Sequence, residues 1–319
     1  MYNGILVFNK PESFTSHDAV AKLRGILRQK KIGHAGTLDP MARGVLVVLL
    51  GSATRASDYA SGQQKEYVAR LRLGITTDTQ DMTGAVLEET PVQVSEGELL
   101  AALQAFTGDI LQLPPMYSAV QVGGKRLYDL ARKGIEIERQ SRSIHVEKLQ
   151  LCTDDRLAEL GVAKGEPCIP GVEYDLDAVC SKGTYIRTLC HDVGQALGCG
   201  GCMADLLRVR SGDFVLSQAL DFAQVEELHR SGELERYIIP TDRVFSDLPA
   251  VYLNEAGDVR ASHGAFLDQT HLTAGQIPPK GGYCRVYDSV GRFIMTGKGG
   301  LLDRGGEAIF CDKTFFNRD

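Results

Sequence analysis

The chain has 319 residues, with 35 Lys and Arg against 41 Asp and Glu, for a formal net charge of −6. Hydrophobic residues make up 43% and charged residues 24%, which excludes wholesale disorder and fits one large domain or two ordinary ones. No apolar run approaches the roughly 18–20 residues of a membrane helix, and the first residues lack a signal-peptide pattern, so a cytoplasmic protein without a membrane partner is expected.

Taken in chain order, Ile5–Phe8 reads as a first strand. Thr15 and Ser16 can cap a helix whose apolar positions Val20, Leu23 and Leu27 fall at helical spacing, while Lys22, Arg24, Arg28, Lys30 and Lys31 form its other face. A glycine-punctuated loop, Gly33 to Pro40, follows, and Gly44–Leu50 is a continuous apolar run that suits a buried strand. Lys65–Leu73 alternates, with Tyr67, Ala69, Leu71 and Leu73 on one face and Val68, Arg70 and Arg72 on the other. Ser95 and Glu98 form a capping box ahead of Leu99, Leu103 and Phe106. Val172–Val179 alternates again, and Thr184–Leu197 reads as a helix with Ile186, Leu189, Val193 and Leu197 on one stripe. Strands and helices mix without a βαβ rhythm, which predicts an α+β fold with a largely antiparallel, mixed sheet flanked by helices. Pro240 and Pro249 bracket a boundary, beyond which short runs at Tyr283–Tyr287 and Arg292–Met295 predict a small β-rich domain.

Net charge conceals distribution. Residues 1–75 carry 11 basic and 5 acidic side chains, 76–124 carry 7 acidic and none basic, and 125–148 carry 7 basic and 4 acidic. A third basic block, 181–210, holds Arg187, Arg208 and Arg210. The acidic total therefore does not exclude a nucleic-acid partner. All eight cysteines lie after residue 151, and Cys199 and Cys202 make a lone CxxC. A structural zinc needs four ligands and no second pair accompanies this one, so no metal is expected and a zinc or redox protein is a minor alternative.

The loop Gly33-His-Ala-Gly-Thr-Leu-Asp39-Pro40 concentrates chemistry: a carboxylate sits between flexible glycines and a rigid proline. The segment KIGHAGTLDPMARGVL resembles the signature of the TruB family of tRNA pseudouridine synthases. Asn9-Lys10-Pro11 with Thr15-Ser16, Lys65-Glu66-Tyr67, Pro114-Pro115-x-Tyr117-Ser118-Ala119 with Gly124-Lys125-Arg126-Leu127-Tyr128, and Ser181-Lys182-Gly183-Thr184-Tyr185-Ile186-Arg187 resemble further family motifs in family order. Three positions depart from the pattern: Ser13 where glycine is expected, Gln121 where lysine is usual, and Leu207 in an arginine-rich stretch.

The resemblance implies a cofactor-free isomerisation of uridine to pseudouridine at position 55 in the tRNA T-arm. Asp39 would be the catalytic carboxylate and Arg187 its charge partner. Tyr67 would stack on the uracil and serve as a candidate base. His34 would fill the gap left by a flipped base, Tyr185 and Leu206 would line the pocket, and Lys10 and Pro11 would support the loop. Lys125, Arg126 and Arg132 would grip phosphates from a thumb-like segment at about 109–142. The resemblance also implies a catalytic domain over 1–245 and a PUA-like RNA-binding domain over 246–319. It implies a monomer without an obligate protein partner. Two alternatives have other requirements: a tRNA-folding chaperone with secondary or lost catalysis, and a guide-RNA-dependent relative. The acidic stretches 76–113 and 211–250 are expected to face away from RNA.

Overall fold

A computed structural model describes residues 1–315 except 119, 164 and 304; the side chain of Arg126 lies outside the described residues. The chain opens with β1 (Gly4–Lys10), α1 (Ser16–Leu27), β2 (Ile32–Ala35) and β3 (Arg43–Leu50). The cap of α1 is the one its sequence predicts: Thr15 accepts from the Asp18 amide and Asp18 accepts in return from the Thr15 amide. Ala19, Val20, Leu23 and Leu27 are buried on its inner face. The apolar run becomes β3, which pairs antiparallel with β1 and β2 and parallel with β12 (Gly201–Ser211). A strand covered on both faces has no use for alternation, which is why its sequence shows none.

After α2 (Ser57–Gly62), β4 (Lys65–Leu73) runs through the middle of the sheet. A short hairpin, β5 (Ile75–Thr77) and β6 (Val86–Glu89), leads to α3 (Glu96–Ala105) and the edge strand β7 (Gly108–Gln112). The thumb region holds β8 (Gln121–Val122), β9 (Lys125–Arg126) and α4 (Leu127–Ala131) before β10 (Arg142–Leu151), α5 (Asp154–Glu159) and β11 (Glu173–Cys180). Gln112 pairs with Arg142, so this region springs from adjacent ends of β7 and β10, and residues 109–112 belong to the sheet. Among the described residues the principal order is β1-β3-β12-β4-β11-β10-β7, mostly antiparallel, as the α+β reading expects.

Alternation sorts the two faces of β4 and β11. Tyr67, Ala69, Leu71 and Leu73 join Leu176 and Ala178 in the core under α6 (Ile186–Ala196). The other face is ionic: Arg70 meets its register partner Asp175 at 2.9 and 3.0 Å, and Arg72 meets Glu173 at 3.0 Å. Helix α6 begins two residues later than its periodicity suggests, because Gly183 adopts a positive φ and Thr184 turns back onto the Ser181 carbonyl.

Beyond β13 (Phe214–Val215) and α7 (Phe222–Ser231), a second sheet holds β14 (Ala250–Leu253), β15 (Leu272–Ala274), β16 (Tyr283–Tyr287), β17 (Phe293–Leu301) and β18 (Glu307–Thr314). Helix α8 (Glu255–Ser262) lies between β14 and β15 in sequence, and Val251, Ala261, Val286 and Ile309 share one core. Phe245, Phe293 and Phe315 pack together where this sheet meets the first.

Ser13, the serine standing where glycine is expected, sits at φ 66°. The left-handed region costs a non-glycine residue about 1–2 kcal/mol, and glycine returns part of that as chain entropy. Ser13→Gly is therefore expected to raise stability by about 0.5–1 kcal/mol, read as a higher urea midpoint at unchanged slope.

Candidate active site

The Asp39 loop joins β2 to β3 and is held by its backbone. Gly36 turns at φ 76°, which is the reason for a glycine there; an added Cβ would stand 3.4 Å from the Arg208 guanidinium. Ser16, at the start of α1, accepts from the Leu38 amide at 2.8 Å and donates to the Leu38 carbonyl at 3.2 Å. Lys10 is fully buried, and its ammonium donates to the carbonyls of Pro11, Phe14 and Pro40 at 2.8, 2.6 and 3.3 Å. Arg208, also buried, donates to the carbonyls of Gly36 (2.9 Å), Thr37 (3.5 Å) and Val45 (2.6 Å). Three side chains thus fix the carbonyls around Asp39 and leave its carboxylate free to meet a partner.

That partner is Arg187, on the first turn of α6, whose guanidinium lies 3.0 Å from the Asp39 carboxylate. Arg187 is itself buried and shared: it donates to the Tyr117 carbonyl at 2.8 Å and approaches Asp81 at 3.5 Å. Asp81 is a residue that sequence reasoning missed. Its other oxygen accepts from the Thr79 hydroxyl (2.8 Å), the Thr83 amide (3.0 Å) and the Thr83 hydroxyl (2.5 Å), which aims the remaining oxygen at Arg187. The signal in the sequence is a threonine-rich stretch, with Thr76, Thr77, Thr79 and Thr83 around Asp78 and Asp81. Asp81 thus brings one residue of the acidic stretch 76–113 against Arg187. Burial pushes the Asp39 carboxyl upward; Arg187, and more weakly Lys10, pull it back, while Asp81 adds to the rise. The result is a partly exposed carboxylate whose charge leans first on Arg187 and then on Lys10.

The other expected residues gather nearby. Tyr67 is buried on β4, directly opposite Arg208 on β12, and it shares a core with Leu206, Leu38 and Ala42. Burial raises the Tyr67 phenol, and the adjacent Arg208 charge opposes the rise. Tyr185 caps α6, its amide and carbonyl both held by Gln112, which ties the Arg187 helix to the root of the thumb. Pro11 is half-buried beside Lys10. His34, on β2, lies edge-on to His17 at 5.1 Å, and burial lowers it to about 4. It is neutral at physiological pH. Since its unfolded value is 6.5, His34 costs no stability above that pH and destabilises progressively as pH falls from 6.5 toward 4. His34→Gln is expected to flatten the fall in urea midpoint between pH 7 and pH 5.

The basic surface is narrower than the sequence suggests. Lys22 lies over the rings of Phe14 and Phe222, and Arg24 donates to the Ile32 carbonyl. Arg208 holds the loop, and Arg210 pairs with Glu66 at 2.7 Å, so neither is free for phosphate. Among the described residues, outward-facing charge includes two clusters that line cavities. Arg28, Lys30, Lys31 and Arg55 line a cleft of about 1310 Å³ that also holds Glu235. Lys125, Arg132 and Lys133 line a cavity of about 540 Å³ in the thumb. Arg126 belongs to β9, but its side chain lies outside the described residues. In the CxxC, Cys199 donates to the Gly200 carbonyl, and Cys202 is buried with its sulfur 3.4 Å from that of Met82. No described helix is long and apolar enough to cross a membrane.

Two family models match adjoining parts of this architecture: one for the N-terminal domain of TruB family pseudouridylate synthases over residues 24–186, the other for the tRNA pseudouridylate synthase B C-terminal domain over 187–246. The chain belongs to the TruB family. It is therefore an enzyme, a pseudouridine synthase. The junction of the two models falls between Ile186 and Arg187, inside α6. Among similar proteins, tRNA pseudouridine synthase B of Bacillus pumilus is 41% identical over 269 residues, 84% of each chain. That of Clostridium kluyveri is 39% identical over 295 residues, 92% of this chain and 95% of its own. Solved structures extend the likeness to the second sheet. A chain in a Cbf5-Nop10-Gar1 complex matches 99% of this TruB chain and 86% of its own, with a TM-score of 0.72 and 27% identity. A chain in an H/ACA RNP bound to a substrate RNA containing 2′-deoxyuridine matches the same shares, with a TM-score of 0.71 and 25% identity.

Proposed function

We propose that this TruB-family enzyme converts uridine 55 in the T-arm of tRNA to pseudouridine, working as a single chain without a guide RNA or protein partner. The tRNA substrate follows the relatives, named tRNA pseudouridine synthase B, at about 40% identity over most of the chain. The observation that carries the mechanism is the Asp39–Arg187 pair at the end of a loop fixed by Lys10, Ser16 and Arg208.

The reaction breaks the N1–C1′ bond, turns the uracil, and joins C5 to C1′. The C5 hydrogen leaves as a proton, N1 ends protonated, and nothing is oxidised or reduced, so the chemistry asks for no cofactor. Asp39 acts as nucleophile or as stabiliser of the charge that develops when the glycosidic bond breaks. Arg187 keeps it ionised and aimed. A base stacked within the RNA is out of reach of a carboxylate held on this fixed loop, so the uridine flips into the pocket, with His34 as a neutral filler of the vacated space. Tyr67 stacks on the uracil against Leu206 and Tyr185. Burial raises its phenol, which favours stacking as its first role, and the adjacent Arg208 charge would support it in removing a proton.

Residues 1–245 serve as the catalytic domain, the segment between β7 and β10 (113–141) as a thumb over the RNA, and residues 246–319 as a PUA-like RNA-binding domain. Pro11 supports the loop through its carbonyl contact with Lys10. Replacing Lys125 and Arg132 with Gln is expected to weaken tRNA binding and to lower the slope of log K against log salt by about 0.7–0.9 for each phosphate no longer neutralised. An unchanged slope would remove both from the RNA interface. Position specificity is tested with 5-tritiated transcripts. Release is expected from the natural sequence and not from one carrying cytidine at position 55; equal release from both would contradict the site assignment.

A further inference from the structure

Residues 250–314 add no net positive field of the sort that grips phosphate, yet one face of their sheet carries an unusual row. Tyr283 on β16 is the register partner of Lys298 on β17, and Lys298 is the register partner of Phe310 on β18. The three side chains therefore stand side by side across three adjacent strands. Their face is the one opposite the domain's core, since Cys284, Val286, Met295 and Ile309 at the alternating positions are buried. Tyr283 and Phe310 keep 40% and 39% of their surface in solvent, and Lys298 is exposed. The Lys298 ammonium lies 5.3 Å from the centre of the Tyr283 ring, and no carboxylate among the described residues pairs with it.

The Phe310 ring does not stand up from the sheet. A Cβ added to Gly300, on the neighbouring strand, would fall 2.7 Å from its Cε2 atom and 3.0 Å from its Cδ2 atom. The ring therefore lies down across Gly300 and turns a face outward, and the glycine is what permits it. Two outward aromatic rings flanking a free cation, on a rigid sheet, have the chemistry that takes unpaired nucleotides: rings stack on bases and the ammonium meets the phosphate between them. A folded protein partner would be met by a broader apolar patch than two rings with a lysine between them.

We infer that Tyr283, Lys298 and Phe310 form a stacking platform for unpaired nucleotides of the RNA substrate, separate from the Asp39 pocket. This rests on the RNA-modifying reading above. The platform gives the second domain an RNA contact that its charge balance conceals.

Binding of a fluorescein-labelled hexa-adenylate to the full chain tests it, because adenylate cannot be the uracil substrate. Wild type is expected to bind, with each of Tyr283→Ala and Phe310→Ala weakening binding at least about five-fold. Gly300→Ala, which lifts the ring and removes no aromatic, should weaken it as well. Lys298→Gln should lower the salt slope by about 0.7. Tritium release from a blunt T-arm stem–loop is expected to stay at the wild-type rate in all four variants, which shows that they are folded and tests the catalytic reading independently. Absence of hexa-adenylate binding by wild type, or equal binding by wild type and the Tyr283→Ala, Phe310→Ala double variant, would overturn the inference.

Discussion

Asp39→Asn is expected to abolish tritium release from 5-tritiated tRNA, lowering the single-turnover rate by about 10⁴-fold or more, with tRNA affinity within a few-fold of wild type. The asparagine has the size of the aspartate but neither a nucleophilic carboxylate nor the negative charge that stabilises a developing cation. The fold has little reason to respond. The loop is held through the carbonyls of Gly36, Thr37, Leu38 and Pro40, not through the Asp39 side chain. Arg187 keeps Asp81 and the Tyr117 carbonyl as partners, so no buried cation is left alone. Undiminished release by this variant would remove Asp39 from the chemistry.

Arg187→Ala should be nearly as severe, for a different reason. It withdraws the cation shared by Asp39 and the buried Asp81 and leaves the two carboxylates with mutual repulsion and desolvation, both of which raise the Asp39 pKa. A larger share of Asp39 is then protonated at neutral pH, and the rate is expected to fall about 10²–10⁴-fold. The sign is specific. A carboxylate with a raised pKa loses activity as pH falls through that value, so the acidic limb of the rate profile moves to higher pH and part of the loss is recovered in alkali. Arg187→Lys separates charge from geometry. A lysine restores the cation and hence the pH limb, but one ammonium cannot serve Asp39, Asp81 and the Tyr117 carbonyl together, so the plateau rate stays low. An unmoved acidic limb in Arg187→Ala would mean that Arg187 does not set the charge of Asp39.

Much of this framework is legible in the sequence, and the failures share a cause. Alternation in Lys65–Leu73 and Val172–Val179 places Tyr67 on the core face and sets Arg70 and Asp175 on the other, because strand geometry leaves no choice of face. Thr15 and Ser95 announce their helices through local hydrogen bonds alone. Arg208 and Arg210 count toward a basic block in sequence, yet neither is free to meet phosphate. Register shifts in β12 at Met203/Asp205 and Arg208/Arg210 break the alternation there, and a basic residue does not reveal in sequence whether carbonyls, a carboxylate or a phosphate will meet it. Asp81 is hidden among seven acidic residues of a segment that reads as solvated surface. Its burial depends on the β5–β6 hairpin folding beneath α6, a contact across more than a hundred residues. The Tyr283–Lys298–Phe310 row has the same character: strand register creates it, and composition does not show it.

The most direct test is the stoichiometry of tritium release by purified wild-type protein from a 5-tritiated, unmodified tRNA transcript. The account predicts release without added metal or cofactor, rising to a plateau of about one tritium per tRNA. A protein that binds the transcript tightly and releases none would contradict it and leave an RNA-binding chaperone in its place.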